Sequence, residues 1–402
     1  MTTDDPTAPA RGTRPRNRRT LVLAAATRLF TRRGFDRIAM SDIAEAVDIR
    51  PSALYRHFTG KQDLLREVLT SSFAPVLSEL STLDLNDRTT ALPRLAALAL
   101  DHRHLGVLWQ REARHLAPTD RDTVRDHVRR LGRHLTPRIE QARPELSTPA
   151  ADLLAWSTIA VLDSLSFHHL ELPRPHYDRF LADLVGAVLD TSVPDTFTQG
   201  SRPPRDTPGL TPRSRREALL AQAIRMFAEH GYTSIGIDDI AAAVGIAGPS
   251  IYKHFTSKQD LLTAAFSRGI ALLFANLATD LSHATDPTDG LHRLLRTYIH
   301  TTLQHHDLVH LMITEMKHLP DDDRRAAKQA QHEYVREWTH LLHTLPPTMD
   351  PTTAQIRVQA ALTVANNAAR SPHLRDNPAI AVVLHTLCTR LLIPTDGYLA
   401  NH

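Results

Sequence analysis

The chain has 402 residues, 42% hydrophobic and 23% charged, with a net charge of +3; this is the make-up of a globular protein of two to four domains. Aromatic content of 5% and only 15 glycines argue against a β-sandwich, barrel or propeller. The single cysteine, Cys388, excludes a disulfide framework or a cysteine-based zinc finger and fits a reducing compartment.

In chain order, the first feature is charge. Met1–Ala10 has no apolar core of the kind a secretory signal needs. Residues 1–65 hold 12 Lys+Arg against 7 Asp+Glu, with Arg11, Arg14, Arg16, Arg18 and Arg19 crowded together. Residues 1–15 read as a basic disordered arm. Beside a helical domain such an arm suits a polyanion such as DNA; a solubilising tail has the same composition. Arginine supplies 42 of the 47 cations, a coding bias that warns against giving every Arg or His a function.

A helix follows, with Val22, Ala26, Leu29 and Phe30 on one apolar face and Gly34 where it should stop. A second short helix holds Ile43, Ala44 and Val47. A tight turn comes at Asp48-Ile49, and a third short helix carries Leu54, Tyr55 and Phe58. Two short helices joined by a turn, after a longer one, read as helix-turn-helix. The unit then recurs. Arg16–Leu65 aligns without a gap onto Arg213–Leu262 at an offset of 197, with about half of the positions identical. A period that long marks a duplicated domain rather than a solenoid. Between the copies, Pro203, Pro204, Pro208 and Pro212 with Gly200 and Gly209 read as a linker. The expected organisation is 16–66 and 213–263 as helix-turn-helix domains, 67–195 and 264–402 as helical ligand or dimerisation domains, and 196–212 as linker.

The remainder of each half is helical pattern without a convincing period-2 strand, so the fold is all-α. Leu108–Leu116 pairs loosely with Met312–Leu319 at an offset of 203. Trp109, Glu112 and His115, with Glu315 and His318 opposite, can line an apolar pocket with a few polar groups; their helical spacing fits core packing equally. The last long helices, Pro149–Leu170 with Pro175–Thr191 and Thr352–Ala369 with Pro378–Leu392, are rich in apolar residues. The longest apolar run, Leu153–Leu162, is closed by Asp163 short of the ~18 residues of a membrane span, so no membrane is expected and the expected location is the cytoplasm. The 24 histidines include no His-Glu-x-x-His arrangement, Asp163-Ser164 finds no triad, and no Gly-rich phosphate loop appears. No enzyme activity, metal or cofactor is expected.

Each repeat resembles the DNA-binding domain of the TetR family of bacterial transcriptional regulators. The resemblance rests on Phe30, Gly34-Phe35, Asp42-Ile43-Ala44, Val47, Leu54-Tyr55-Arg56-His57-Phe58, Lys61 and Leu64-Leu65, and on Phe227, Gly231-Tyr232, Asp239-Ile240-Ala241, Val244-Gly245-Ile246, Ile251-Tyr252-Lys253-His254-Phe255, Lys258 and Leu261-Leu262. The tandem layout is similar to two-copy, single-chain TetR-type repressors of actinobacteria, some linked to lipid transport and metabolism. The resemblance implies two TetR-like halves whose last helices form a four-helix bundle, here within one chain. It also implies a recognition helix in the major groove, with Arg50, Pro51, Ser52 and Ala53 nearest the bases in copy one and Ala247, Gly248, Pro249 and Ser250 in copy two. Helix initiation explains the same residues without DNA. Tyr55, His57 and Lys61, with Tyr252, His254 and Lys258, match the family's phosphate-contacting set, although Tyr55 can equally be a core ring and Lys61 a solvated side chain.

Two departures stand out. Asp48 replaces the Gly found at 245, and Ala39 and Gly236 stand where a Ser or Thr usually caps the second helix. The implied function is a ligand-relieved repressor of a double-stranded DNA operator with unequal half-sites, responding to a small apolar or amphipathic effector, as a monomeric pseudo-dimer or a homodimer. The alternative is a ligand-binding or protein-interaction module whose DNA-reading surfaces have decayed; the retained Arg50, Tyr55, Lys61, Tyr252 and Lys258 disfavour it.

Overall fold

A computed structural model describes residues 18–198, 213–346 and 348–393. The basic arm 1–15 and most of the linker lie outside the described residues. Among the described residues all regular structure is helical. The N-terminal half holds α1 (Arg18–Arg33), α2 (Met40–Ala46), α3 (Pro51–Leu54), α4 (Lys61–Thr82), α5 (Arg88–Asp101), a short α6 (Leu105–Val107), α7 (Pro118–Ala142), α8 (Thr148–Ser164) and α9 (His176–Leu189). The C-terminal half holds α10 (Arg215–His230), α11 (Ile237–Ala243), α12 (Gly248–Ile251), α13 (Lys258–Ser282), α14 (Pro287–Gln304), α15 (His306–Thr314), α16 (Asp321–Thr344), α17 (Pro351–Arg370), the one-turn α18 (Pro372–Arg375) and α19 (Ile380–Leu392).

Local chemistry sets many of these boundaries. Asp87, Ser147, Ser214, Ser257, Asp286 and Asp350 cap α5, α8, α10, α13, α14 and α17 through side-chain oxygens, each cap contributing about 1 kcal/mol. Ala39 and Gly236 offer α2 and α11 no such oxygen. There Asp42 and Asp239 reach back instead, accepting from Ala39 N and Gly236 N at 2.7 Å. Asp48 sits at φ +50° and Gly245 at +73°, so both turns use left-handed backbone, which Asp tolerates better than most residues.

The halves join through α8, α9, α17 and α19, with α8 against α17 and α9 against α19. This is a four-helix bundle supplied by one chain. Its core is continuous with the ligand domains and with the first helix-turn-helix, whereas the second helix-turn-helix has a separate core around Phe227, Ile240 and Phe255.

Three sequence expectations are corrected here. Helix α8 stops at Ser164, not Leu170, because Leu165–Phe167 tightens into a 3₁₀ turn and Arg103 Nη2 takes the carbonyls of His168 and Leu170. The expected linker begins late: Phe197 is buried, and Asn377 donates to the carbonyl of Thr198 at 2.8 Å. Finally, Thr148–Phe167 and Lys258–Ser282 are long and apolar enough on average to cross a membrane; counting uninterrupted apolar runs missed both. The first is mostly buried inside the protein, as a bundle-core helix is.

The turn at 48 gives a direct test. Asp48→Val should lower unfolding stability by roughly 1–2 kcal/mol, the cost of left-handed backbone for an ordinary L-residue, while Asp48→Gly leaves it within a few tenths. Denaturant midpoints of the two variants check this.

Candidate nucleic-acid interface

The helix-turn-helix surface builds outward from these turns. Pro51 opens α3 after an extended Arg50, and Gly248 opens α12 after an extended Ala247. Arg50, Pro51 and Ser52 are exposed and Ala53 is half-buried; Ala247 and Pro249 are exposed, Gly248 and Ser250 half-buried. Gly248 is also a close approach, since a Cβ there would lie 2.6 Å from Asp238 Oδ1. Tyr55 and Tyr252 are 57% and 54% exposed, while their neighbours Phe58 and Phe255 are 1% exposed. Two large rings left in water at equivalent positions are not core residues. Around them Arg56, His57 and Lys253 are exposed and His254 is half-buried.

The two lysines behave differently from the sequence expectation. Lys61 Nζ donates to the carbonyls of Phe35 and Ile38 at 2.9 Å, and Lys258 Nζ to those of Tyr232 and Ile235 at 2.7 Å. Each ammonium also lies over a ring, Phe35 at 4.1 Å or Tyr232 at 4.2 Å. Two of the three N–H donors thus tie the start of α4 or α13 to the turn before α2 or α11, leaving one for any anion. Burial holds the Lys258 ammonium below the usual lysine range.

The expected ligand residues separate. Residues Leu108–Glu112 form a wide π-type turn, so positions three apart no longer share a face. Trp109 lines a cavity of about 70 Å³ in the N-terminal ligand domain, while Glu112 and His115 face the helix-turn-helix. Glu112 Oε2 accepts from Phe35 N at 2.8 Å, and His115 stacks on Phe35 with ring centres 4.9 Å apart. In the other half His318 stacks on Tyr232 at 5.1 Å.

These residues also meet across the halves. Arg114 pairs with Glu315 and donates to the carbonyl of Thr314 at 3.0 Å. In return Lys317 Nζ lies 3.6 Å from Glu112 and 3.7 Å from Asp36, and donates to His115 Nε2 at 2.9 Å. At the offset of 203, Glu112 matches Glu315, Arg114 matches Lys317 and His115 matches His318, so the contact is reciprocal, as in a twofold dimer. Glu112 and Glu315 are almost wholly buried. Burial, then Lys317, pushes the His115 imidazole down to about 3; burial, then Arg114, pushes His318 down to about 4. Both rings are therefore neutral near pH 7, which lets His115 accept from Lys317. Sequence reasoning missed Asp36, Arg114 and Lys317, because a contact between halves 200 residues apart leaves no local periodicity.

The geometry is that of a paired helix-turn-helix protein. Residues 22–68 and 219–265 match the family described as "Bacterial regulatory proteins, tetR family", and residues 284–369 match "Tetracyclin repressor-like, C-terminal domain". The TetR family's DNA-binding domain is thus present twice in this chain. It is 34% identical over 116 residues to the HTH-type transcriptional repressor KstR2 of Mycolicibacterium smegmatis, covering 29% of this chain and 56% of that one. It is 32% identical over 100 residues to the HTH-type transcriptional activator FasR of the same organism, covering 25% and 42%. The chain thus spans about half the length of these relatives. Among solved structures, the ketosteroid transcriptional regulator KstR2 of Mycobacterium tuberculosis gives a TM-score of 0.38 at 22% identity, over 43% of this chain and 94% of that one.

Two tests follow from the junction. Arg114→Met leaves the Glu315 carboxylate buried without its partner, so about 3–5 kcal/mol of stability should be lost. Adding Glu315→Leu should restore most of it, which a double-mutant cycle by chemical denaturation reads directly. The second test is pH. His115 and His318 are depressed in the folded state and titrate near 6.5 when unfolded, so the unfolded chain binds more protons below that point. Their contribution is intact above about pH 6.5 and falls as pH drops towards 4, by up to about 1.4 kcal/mol per pH unit for each ring. His318→Phe should flatten the stability profile between pH 6.5 and 4.5 by about that slope.

Proposed function

We propose that the chain is a sequence-specific DNA-binding transcriptional regulator acting as an intramolecular pseudo-dimer, and that a small apolar or amphipathic ligand relieves its repression. The matched exposure of Tyr55 and Tyr252 carries this reading. Each ring stands beside a short helix ready for a major groove, among exposed cations. Tyr55, Tyr252, His57, His254 and the remaining N–H of Lys61 and Lys258 serve phosphate oxygens, fixing position without reading sequence. Arg50 reads guanine in a bidentate contact, with Ser52 and Ala53 small enough for close approach. Copy two has Ala247, Gly248, Pro249 and Ser250 there, so the two half-sites differ and lie one helical turn apart or a multiple of it. The retained, exposed Arg50, Tyr55 and Tyr252 disfavour an interaction module with decayed reading surfaces.

Relief of repression runs through one segment, 105–115. At its start Leu105, Gly106 and Trp109 wall the cavity. At its end Glu112, Arg114 and His115 hold the first helix-turn-helix and the other half. A molecule that enlarges the cavity must push this segment, and so the junction. The ligand then favours the DNA-incompetent state, with a coupling of typically 1–3 kcal/mol.

Fluorescence anisotropy of the purified chain with its own upstream intergenic DNA, against random competitor at two salt concentrations, tests the reading. Tyr55→Ala and Tyr252→Ala should each weaken specific binding. Arg50→Ala should cost about 1–3 kcal/mol and relax preference in one half-site only. A selected site that proves perfectly palindromic, or binding no tighter than to random DNA at any candidate operator, would overturn it.

A further inference from the structure

From α5 onward the halves register at the offset of 203: α5 ends at Asp101 and α14 at Gln304, α7 starts at Pro118 and α16 at Asp321, α8 at Thr148 and α17 at Pro351. The two ligand domains can therefore be compared residue by residue, and one group of differences falls on the cavity. In the N-terminal half, Leu95, Leu131 and Leu135 line the 70 Å³ cavity. In the C-terminal half the same three positions are Tyr298, Tyr334 and Trp338. All three rings are buried, with centres 5.8 to 6.2 Å apart. Each is bulkier than the leucine it replaces.

The polar end is exchanged as well. Asp163 lines the cavity, and its counterpart is Asn366. In the C-terminal half Tyr298 brings its own hydroxyl and donates to Asn366 Oδ1 at 2.9 Å. In the N-terminal half Leu95 stands at that position and brings no hydroxyl to Asp163. Asp163 accepts from the Gln110 amide, whose Oε1 accepts from Arg370 Nη1 of the C-terminal half at 2.6 Å, and the Trp109 indole N–H also interacts with its carboxyl group. Two further polar atoms of cavity-lining residues, Thr158 Oγ1 and His102 Nδ1, are buried without a hydrogen-bond partner. Gly106 is required for this arrangement, because a Cβ there would lie 2.1 Å from Asp163 Oδ1.

We infer that the chain carries a single ligand site, in its N-terminal half, for a small apolar molecule ending in a hydrogen-bond donor such as an amine or alcohol, and that Tyr298, Tyr334 and Trp338 fill the equivalent space in the C-terminal half. Half of the pseudo-dimer is permanently occupied by its own side chains. The other half is the switch. Asp163 selects the ligand's head: its carboxyl accepts a donor and repels a second carboxylate, and burial, which raises its titration to about 6, leaves it an acceptor at neutral pH. The cavity is smaller than the ~150 Å³ that admits benzene, so any occupant beyond a few carbons displaces Trp109 and Leu105. This inference rests on the ligand-relieved reading for its consequence, but not for its existence.

The test uses the full chain with methyl-labelled leucines, titrated with 1-butylamine, 1-butanol and butyrate and followed by methyl NMR. DNA binding is measured separately. Butylamine and butanol should shift the Leu95, Leu131 and Leu135 methyls saturably, leave Leu294, Leu295 and Leu342 unmoved, and bind at least tenfold more tightly than butyrate. Leu135→Trp, which copies the C-terminal half, should abolish those shifts while DNA binding persists; Leu95→Tyr serves if that variant does not fold. Asp163→Asn should remove the preference against butyrate. Saturable shifts in both halves, shifts in neither, or equal binding of butyrate would each overturn the inference. Probe binding without any effect on DNA affinity would leave the single site standing and sink the relief mechanism instead.

Discussion

Two carboxylates with almost no access to water hold this molecule's working parts together. Glu112 and Glu315 each take a cation from the opposite half, Lys317 and Arg114, and each sits beneath a histidine that stacks on the first aromatic residue after α1 or α10. Leaving such a carboxylate unpaired costs several kcal/mol. The halves cannot part here without paying that penalty twice, and the first DNA-binding domain cannot move off without taking the Phe35 N–H from Glu112. The α8, α9, α17 and α19 bundle supplies the bulk of the apolar contact between halves. The junction supplies geometry, because paired charges tolerate fewer alternative arrangements than apolar surface does.

Carrying both halves on one chain frees them to diverge. In a dimer of identical subunits, any change in a reading helix or a ligand cavity appears twice. Here Arg50 faces Ala247, Asp48 faces Gly245, and Leu131 and Leu135 face Tyr334 and Trp338. These changes fall at a turn, a reading residue and a cavity wall. The positions that must act jointly, Glu112 with Glu315 and His115 with His318, are kept.

This pattern also explains what the sequence made legible. The helix-turn-helix repeat was readable because its apolar spacing and its Tyr-x-His-Phe run are local, and they occur twice at one offset. The bundle helices were readable from their apolar content, with the end of α8 misplaced because Arg103, sixty residues earlier, takes the carbonyls that follow it. The phosphate role expected of Lys61 and Lys258 followed from their position at a helix start; that carbonyl groups 23 and 26 residues upstream take two of each ammonium's three N–H donors was not legible there. The expected ligand residues separate for a subtler reason. Trp109 and Glu112 share a face on a regular helix, and the wide turn at Leu108–Glu112 separates them.

That wide turn is where the chain's two tasks are physically divided. A regular helix through 105–115 would direct cavity wall and junction residues to overlapping faces, and movement of one would be absorbed by the other. Widening the turn sends Trp109 toward the cavity and Glu112 toward Phe35, with Gln110 between them reaching Asp163 on one side and Arg370 on the other. A displacement at Trp109 therefore has two exits. One leads through Glu112 to the first DNA-binding domain. The other leads through Gln110 and Arg370 to His310, which accepts from Arg370 Nε at 2.9 Å in the helix preceding Glu315. The cavity thus has a hydrogen-bonded route to the first DNA-binding domain and to α15, which packs on α10 of the second, and that is what an asymmetric switch in a two-headed chain requires.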